Sequence, residues 1–137
     1  WTMIMWIWMY ATRIPAIGKL PKPTEPGGDQ GWTGAMLEGL IPREVQWKAH
    51  NYNHLMEQPT VFYAAVMILA IMGPGAADVL AAWIYVGLRI IHSIWQATVN
   101  TVPVRFLLFI ISTFALLFLG IRAVIATLLA DPSALPV

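Results

Sequence analysis

The chain contains no cysteine. Disulfides, cysteine metal sites and a protein thiol nucleophile are therefore excluded. Charge is almost as scarce. Lys, Arg, Asp and Glu make up 11% of the 137 residues, where a soluble domain carries about 25%. The net charge is +1, with no basic stripe to neutralise phosphates, so a nucleic-acid partner is not expected. What replaces charge is apolar side chain, 58% of the sequence. Seven tryptophans suit a chain with many residues at membrane–water boundaries, where indole is amphipathic enough to sit. The lipid bilayer is the expected solvent.

Four hydrophobic segments punctuate the chain, so the fold class expected is all-α, an integral-membrane four-helix bundle forming a single domain over 1–137. The first segment covers about residues 1–14 and meets the Ile14-Pro15 break. Its apolar run of residues 1–12 is roughly 18 Å of helix, short of a hydrocarbon core of about 30 Å. It begins with Trp1 rather than Met, so the numbered sequence is read as lacking the start of this helix. A secretory signal is disfavoured, because no basic stretch and no small-residue cleavage site are present. Residues 15–43 carry Pro15, Pro21, Pro23, Pro26, Pro42 and Gly27-Gly28 and read as a loop, with a short interfacial helix expected over 33–40. Spans follow at about 44–72, 78–99 and 103–130, the first of them stopped by Gly73-Pro74-Gly75.

Arg13, Lys19, Lys22, Arg43, Lys48 and Arg105 gather on the side of the 15–43 loop. The positive-inside bias then places that loop in the cytoplasm. The C-terminal Ala134-Leu135-Pro136-Val137 is no eukaryotic retrieval signal, which favours a bacterial inner membrane.

Two polar stripes interrupt this apolar background. His50, Asn53, His54 and Glu57 fall at i, i+3, i+4 and i+7, and Tyr85, Arg89, His92 and Gln96 at i, i+4, i+7 and i+11. Each spacing puts its residues on one helix face. The two stripes are expected to face each other or a wet cavity, with Glu57 and Arg89 the most expensive to leave unpaired in a bilayer. A ligand pocket and a structural polar lock between helices both fit. Pro59 removes a backbone donor and predicts a kink, either for packing or to shape a site. Arg105 follows Pro103 at the start of the last span, where the helix dipole disfavours a cation. It therefore calls for an anion, a phospholipid headgroup or a ligand. His50 and His54 with Glu57 imitate a metal set, but His92 is the sole further histidine. They are read as hydrogen-bonding residues, and no metal is expected.

These residues carry a family likeness. The chain resembles the MAPEG family, membrane-associated proteins in eicosanoid and glutathione metabolism. The likeness rests on Lys48-Ala49-His50 leading through Asn53 and Glu57 to Pro59 and Phe62, on Arg89-Ile-Ile-His92, and on Pro103-Val104-Arg105. It implies a homotrimer that binds glutathione as co-substrate between subunits, near the cytoplasmic face. Arg105 would stabilise the glutathione thiolate as the catalytic residue. Lys48, His50, Asn53, Glu57, Arg89, His92 and Arg13 would surround the tripeptide, with Glu57 and Asn53 on its amine and backbone and with Arg13 and Lys48 on its carboxylates.

Departures from the family pattern are visible. Lys48 stands where arginine is usual, His54 where asparagine is expected, Gln96 in the slot of a tyrosine, and Thr101 in that of a basic residue. Two functions follow: a glutathione-dependent transferase or peroxidase acting on lipophilic electrophiles, or a non-catalytic structural or accessory subunit, in either case open to recruitment by a larger membrane complex.

Overall fold

A computed structural model of the chain describes residues 1–22, 24, 28, 30 and 33–130. Gly27 of the first loop and the C-terminal residues Ala134 to Val137 lie outside them. The described chain is all helical: α1 (Thr2–Ile17), α2 (Arg43–Leu55), α3 (Gln58–Met72), α4 (Ala76–Thr98) and α5 (Val102–Leu128), with a 3₁₀ turn at Ala35–Leu37. α2 and α3 are two halves of one 30-residue apolar stretch. This stretch, α4 and α5 are each long and apolar enough to cross a membrane. The chain is an integral-membrane helical bundle.

Pro15 does not end α1, which continues to Ile17. A proline this close to the C-terminus removes one backbone donor and leaves the rest of the ladder intact, and the Gly18 N–H still bonds the Ile14 carbonyl at 3.0 Å. The helix expected over 33–40 shrinks to the single 3₁₀ turn. Gly39 sits beyond it at φ +82°, a left-handed conformation that glycine adopts without penalty and that stops helical winding.

The Pro59 kink is a full break. The α2 ladder ends at Leu55, Glu57 takes φ −91° and ψ −97°, and α3 restarts with Pro59 in its first turn, where a missing N–H costs nothing. The Thr60 hydroxyl caps the break by donating to the Glu57 carbonyl at 2.6 Å. At the other reversal, Asn100 adopts φ +56° as a left-handed helix cap, and its N–H bonds the Trp95 carbonyl at 2.8 Å.

α4 packs along α5, α3 on α5, α2 on α4, and α1 on α2. The main core joins Phe62, Ala65 and Leu69 of α3, Tyr85 of α4, and Leu116, Leu119 and Ala123 of α5. The Phe62 and Tyr85 rings stack at 4.4 Å. A smaller cluster of Met5, Leu55 and Ala97 attaches α1.

Candidate functional site

Because chain direction alternates, the C-termini of α1 and α4 and the N-termini of α2 and α5 share one end of the bundle. Arg13, Lys48, His50, Asn53, His92, Gln96 and Arg105 lie toward that end, while Glu57, Arg89 and Tyr85 sit nearer mid-bundle. The residues do not form one cluster.

The first group belongs to α1, the 3₁₀ turn and α2. Arg13, His50 and Asn53 line a pocket of about 250 Å³ together with Glu38 and Gln46. Glu38 and His50 are joined at 2.9 Å, and Arg13 Nη2 donates to the Gly34 carbonyl at 3.4 Å. Gln46 is buried, and neither its amide nitrogen nor its oxygen has a partner among the described residues. A pocket carrying a guanidinium, a carboxylate, an imidazole and a free amide can receive a molecule that bears both signs of charge. Lys48 lies apart from it. Its ammonium bonds the Glu44 carbonyl at 2.8 Å and stands 5.3 Å over the Trp8 ring.

The second group is internal. Tyr85, Arg89, His92 and Gln96 are all buried, so the α4 stripe faces the bundle. The α2 stripe does not face it. His50 and Asn53 are exposed, and the Glu57 side chain is 69% exposed, bonded to His54 Nδ1 at 2.9 Å. Of the two arrangements expected, that of the stripes facing each other is corrected, since Glu57 and Arg89 form no ion pair, while His50 and Asn53 border the Arg13 cavity. Glu57 lies past the end of the α2 ladder, where helical spacing no longer sets its direction. Its place opposite α4 is taken by Asn51, which donates to the Ser93 hydroxyl at 2.7 Å, and by buried Leu55. His54 is the one stripe residue that turns inward, with its ring 5.3 Å from His92 and 5.3 Å from Phe109.

Arg105 forms a third position, in the first turn of α5. Its Nη1 donates to Asn100 Oδ1 at 2.7 Å. The anion that its place on the helix dipole called for is thus partly replaced by a neutral amide from the α4–α5 turn, and among the described residues Arg105 has no ion pair. It does not line the Arg13 pocket.

Sequence reasoning passed over several residues. Asn51 and Ser93 carry a buried hydrogen bond between helices, but each is a single polar residue outside the stripes. Asp78 and Arg122, at the opposite end of the bundle, form a two-pronged ion pair at 2.9 and 3.2 Å. The signal for that pair was present, since two opposite charges in otherwise apolar spans call for each other.

A family model described as the MAPEG family matches residues 1–125. No curated protein and no solved structure matches the chain.

Proposed function

The chain belongs to the MAPEG family, and from that premise we propose that it is a glutathione-dependent membrane transferase or peroxidase acting on lipophilic electrophiles. The carrying observation is Glu57. It sits at the α2–α3 break, where polar α2 gives way to apolar α3, with its side chain 69% exposed on the single chain. A carboxylate turned toward lipid is costly wherever hydrocarbon reaches it, so its face calls for a cover. A second copy of the chain supplies one. We therefore read the protein as a homotrimer whose binding sites lie between subunits, with the 15–43 loop on the cytoplasmic side of a bacterial inner membrane.

The residues present fit a tripeptide with two carboxylates and one ammonium. Arg13 and Lys48 hold the carboxylates, while Glu57, Asn53 and His50 take the amine and the peptide groups. Unpartnered Gln46 supplies both a donor and an acceptor. Bound glutathione contributes a thiol nucleophile. A thiol of pKa about 8.5 is mostly protonated at neutral pH, and an adjacent cation favours the reactive anion. Arg105 is that cation. Because Arg105 stands away from the Arg13 pocket, the two are brought together across a subunit boundary. Arg89 and His92 stand behind His54 and act on the site through it. Electrophiles dissolved in the bilayer reach such a boundary laterally.

Glutathione titrated into purified protein by calorimetry, together with conjugation of a chlorinated nitroaromatic, tests this reading. Arg105→Ala should lower turnover by about 10²-fold or more, the scale of losing a group that stabilises developing charge. Glu57→Gln should weaken glutathione binding by about tenfold or more, as for a charged hydrogen bond. A second reading, a non-catalytic accessory subunit, is favoured by the existing bonds of Arg105 to Asn100 and of Glu57 to His54. Absence of both thiol binding and turnover in the wild type would leave that reading alone.

A further inference from the structure

Arg89 carries a charge that no carboxylate among the described residues meets in contact; Glu57 acts on it only at longer range. It is 4% exposed, halfway along α4. Its Nε and Nη1 have no hydrogen-bond partner, and its Nη2 reaches the His54 carbonyl only at 3.5 Å. The guanidinium lies 6.0 Å from the Tyr85 ring centre and 5.6 Å from that of Phe109. Ring faces attract a cation but accept no N–H bond of ordinary strength. No ion pair among the described residues includes Arg89. Glu57 is turned outward on His54, and Asp78 is engaged by Arg122.

A second orphan lies beside it. Tyr85 is 2% exposed, and its hydroxyl also has no partner. Arg89 and Tyr85 line the same cavity of about 60 Å³, walled by Leu55 and Phe62 and rimmed by Trp1 and Tyr63. That is room for one small ion with a water beside it. The unpaired Arg89 and Tyr85 donors belong to residues bordering one cavity, whose other polar lining is the uncharged hydroxyls of Thr2 and Tyr63. A buried cation retains its charge when an anion shares its cavity.

We infer that this cavity binds a small monovalent anion, held by Arg89 Nε–H and Nη1–H with the Tyr85 hydroxyl as third donor. A halide from solution has this chemistry. So has the carboxylate of a fatty acid that enters from the bilayer and leaves its chain between Trp1 and Tyr63. None of Arg13, Lys48, His50, Asn53, Glu57 and Arg105 lines the cavity, so Arg89, which the family resemblance also placed near the tripeptide, faces here a space that the proposed thiol site does not use.

The test uses the full chain in detergent without glutathione. Melting is followed in chloride, bromide and gluconate at equal ionic strength, and bound fatty acid is measured by extraction and mass spectrometry. A halide occupant predicts a higher melting temperature in chloride and bromide than in gluconate. Arg89→Gln should raise the halide concentration for half the effect by about tenfold, and Tyr85→Phe by about threefold. A fatty-acid occupant predicts no halide effect and a near-stoichiometric fatty acid that Arg89→Gln releases. Should Arg89→Gln fail to fold, Tyr85→Phe and the wild type still decide. No halide effect and no bound acid in the wild type overturn the inference, as does a halide effect or a bound acid that Tyr85→Phe leaves unchanged.

Discussion

At the end of the bundle where α3 turns into α4, the charged residues described, Asp78 and Arg122, are paired with each other. Asp78 is 2% exposed; it takes both prongs of Arg122 and also accepts the Gly75 N–H at 2.9 Å. As an acid in the first turn of α4 it also complements the helix dipole. Around it the core is a plain interdigitation of Phe62, Leu69, Leu116 and Leu119. The opposite end is equally buried in places but unfinished. Gln46 and Gln96 there, and Arg89 and Tyr85 at mid-bundle, hold buried polar atoms with no partner among the described residues, while His50 and Glu57 turn their hydrogen-bonded side chains to the outside. A polar group satisfied within the chain holds the fold. One left open within the membrane waits for something that the single chain does not contain. The closed end is therefore the structural end, and the open end is where the proposed ligand and neighbouring copies would act.

Breaking the closed end should have the largest effect on stability and the smallest on binding. Arg122→Ala strands the buried Asp78 carboxylate, and removing one member of such a pair is far more costly than removing both. Its melting temperature should fall more than that of any other substitution considered below, with glutathione affinity per folded molecule unchanged. The double replacement Asp78→Leu with Arg122→Leu should recover most of the loss. If the double variant melts as low as the single one, the pair has a role beyond mutual neutralisation.

Ser93→Ala comes next. It leaves the buried Asn51 amide without its acceptor, at about 1–3 kcal/mol, measured as a shift in chemical unfolding. Asn51→Leu combined with Ser93→Ala should be milder than Ser93→Ala alone, because the orphaned amide is then gone.

The smallest stability effect belongs to the open end. Glu57→Gln alters a hydrogen bond to His54 whose carboxylate is mostly exposed on the single chain, worth about 1 kcal/mol. Detergent-solubilised protein dispersed to single chains should melt within about 1 kcal/mol of the wild type, while assembly, followed by light scattering, should weaken. A large loss of stability in single chains would erase the contrast between the two ends.

Much of this was legible in the residue order. Apolar runs separated by Gly73-Pro74-Gly75 and by the polar first loop announced the spans, and the 3.6-residue period of Tyr85, Arg89, His92 and Gln96 marked a buried face that the structure retains. The α4 stripe was readable because α4 is one uninterrupted helix, so spacing maps directly onto direction. The α2 stripe was misread for the converse reason. Pro59 interrupts the ladder between His54 and Glu57, and past that break no periodicity says where a side chain points. Asn51 was invisible because a single inward polar residue has no period.

Composition and order by themselves determined that this chain lives in a bilayer as helices, because apolar length and the need to satisfy backbone groups without water leave little choice. They also gathered Arg13, Arg43, Lys48 and Arg105 at one end, since alternating chain direction fixes which helix termini lie together. Tertiary structure alone decided which polar groups meet. Glu57 turned from Arg89 to His54, Asn51 found Ser93, and Asp78 found Arg122 across distances in sequence that no local pattern spans. Pairing of that kind depends on the rotation of each helix about its axis and on angstrom-scale reach, and both are set by the packing of whole helices against one another.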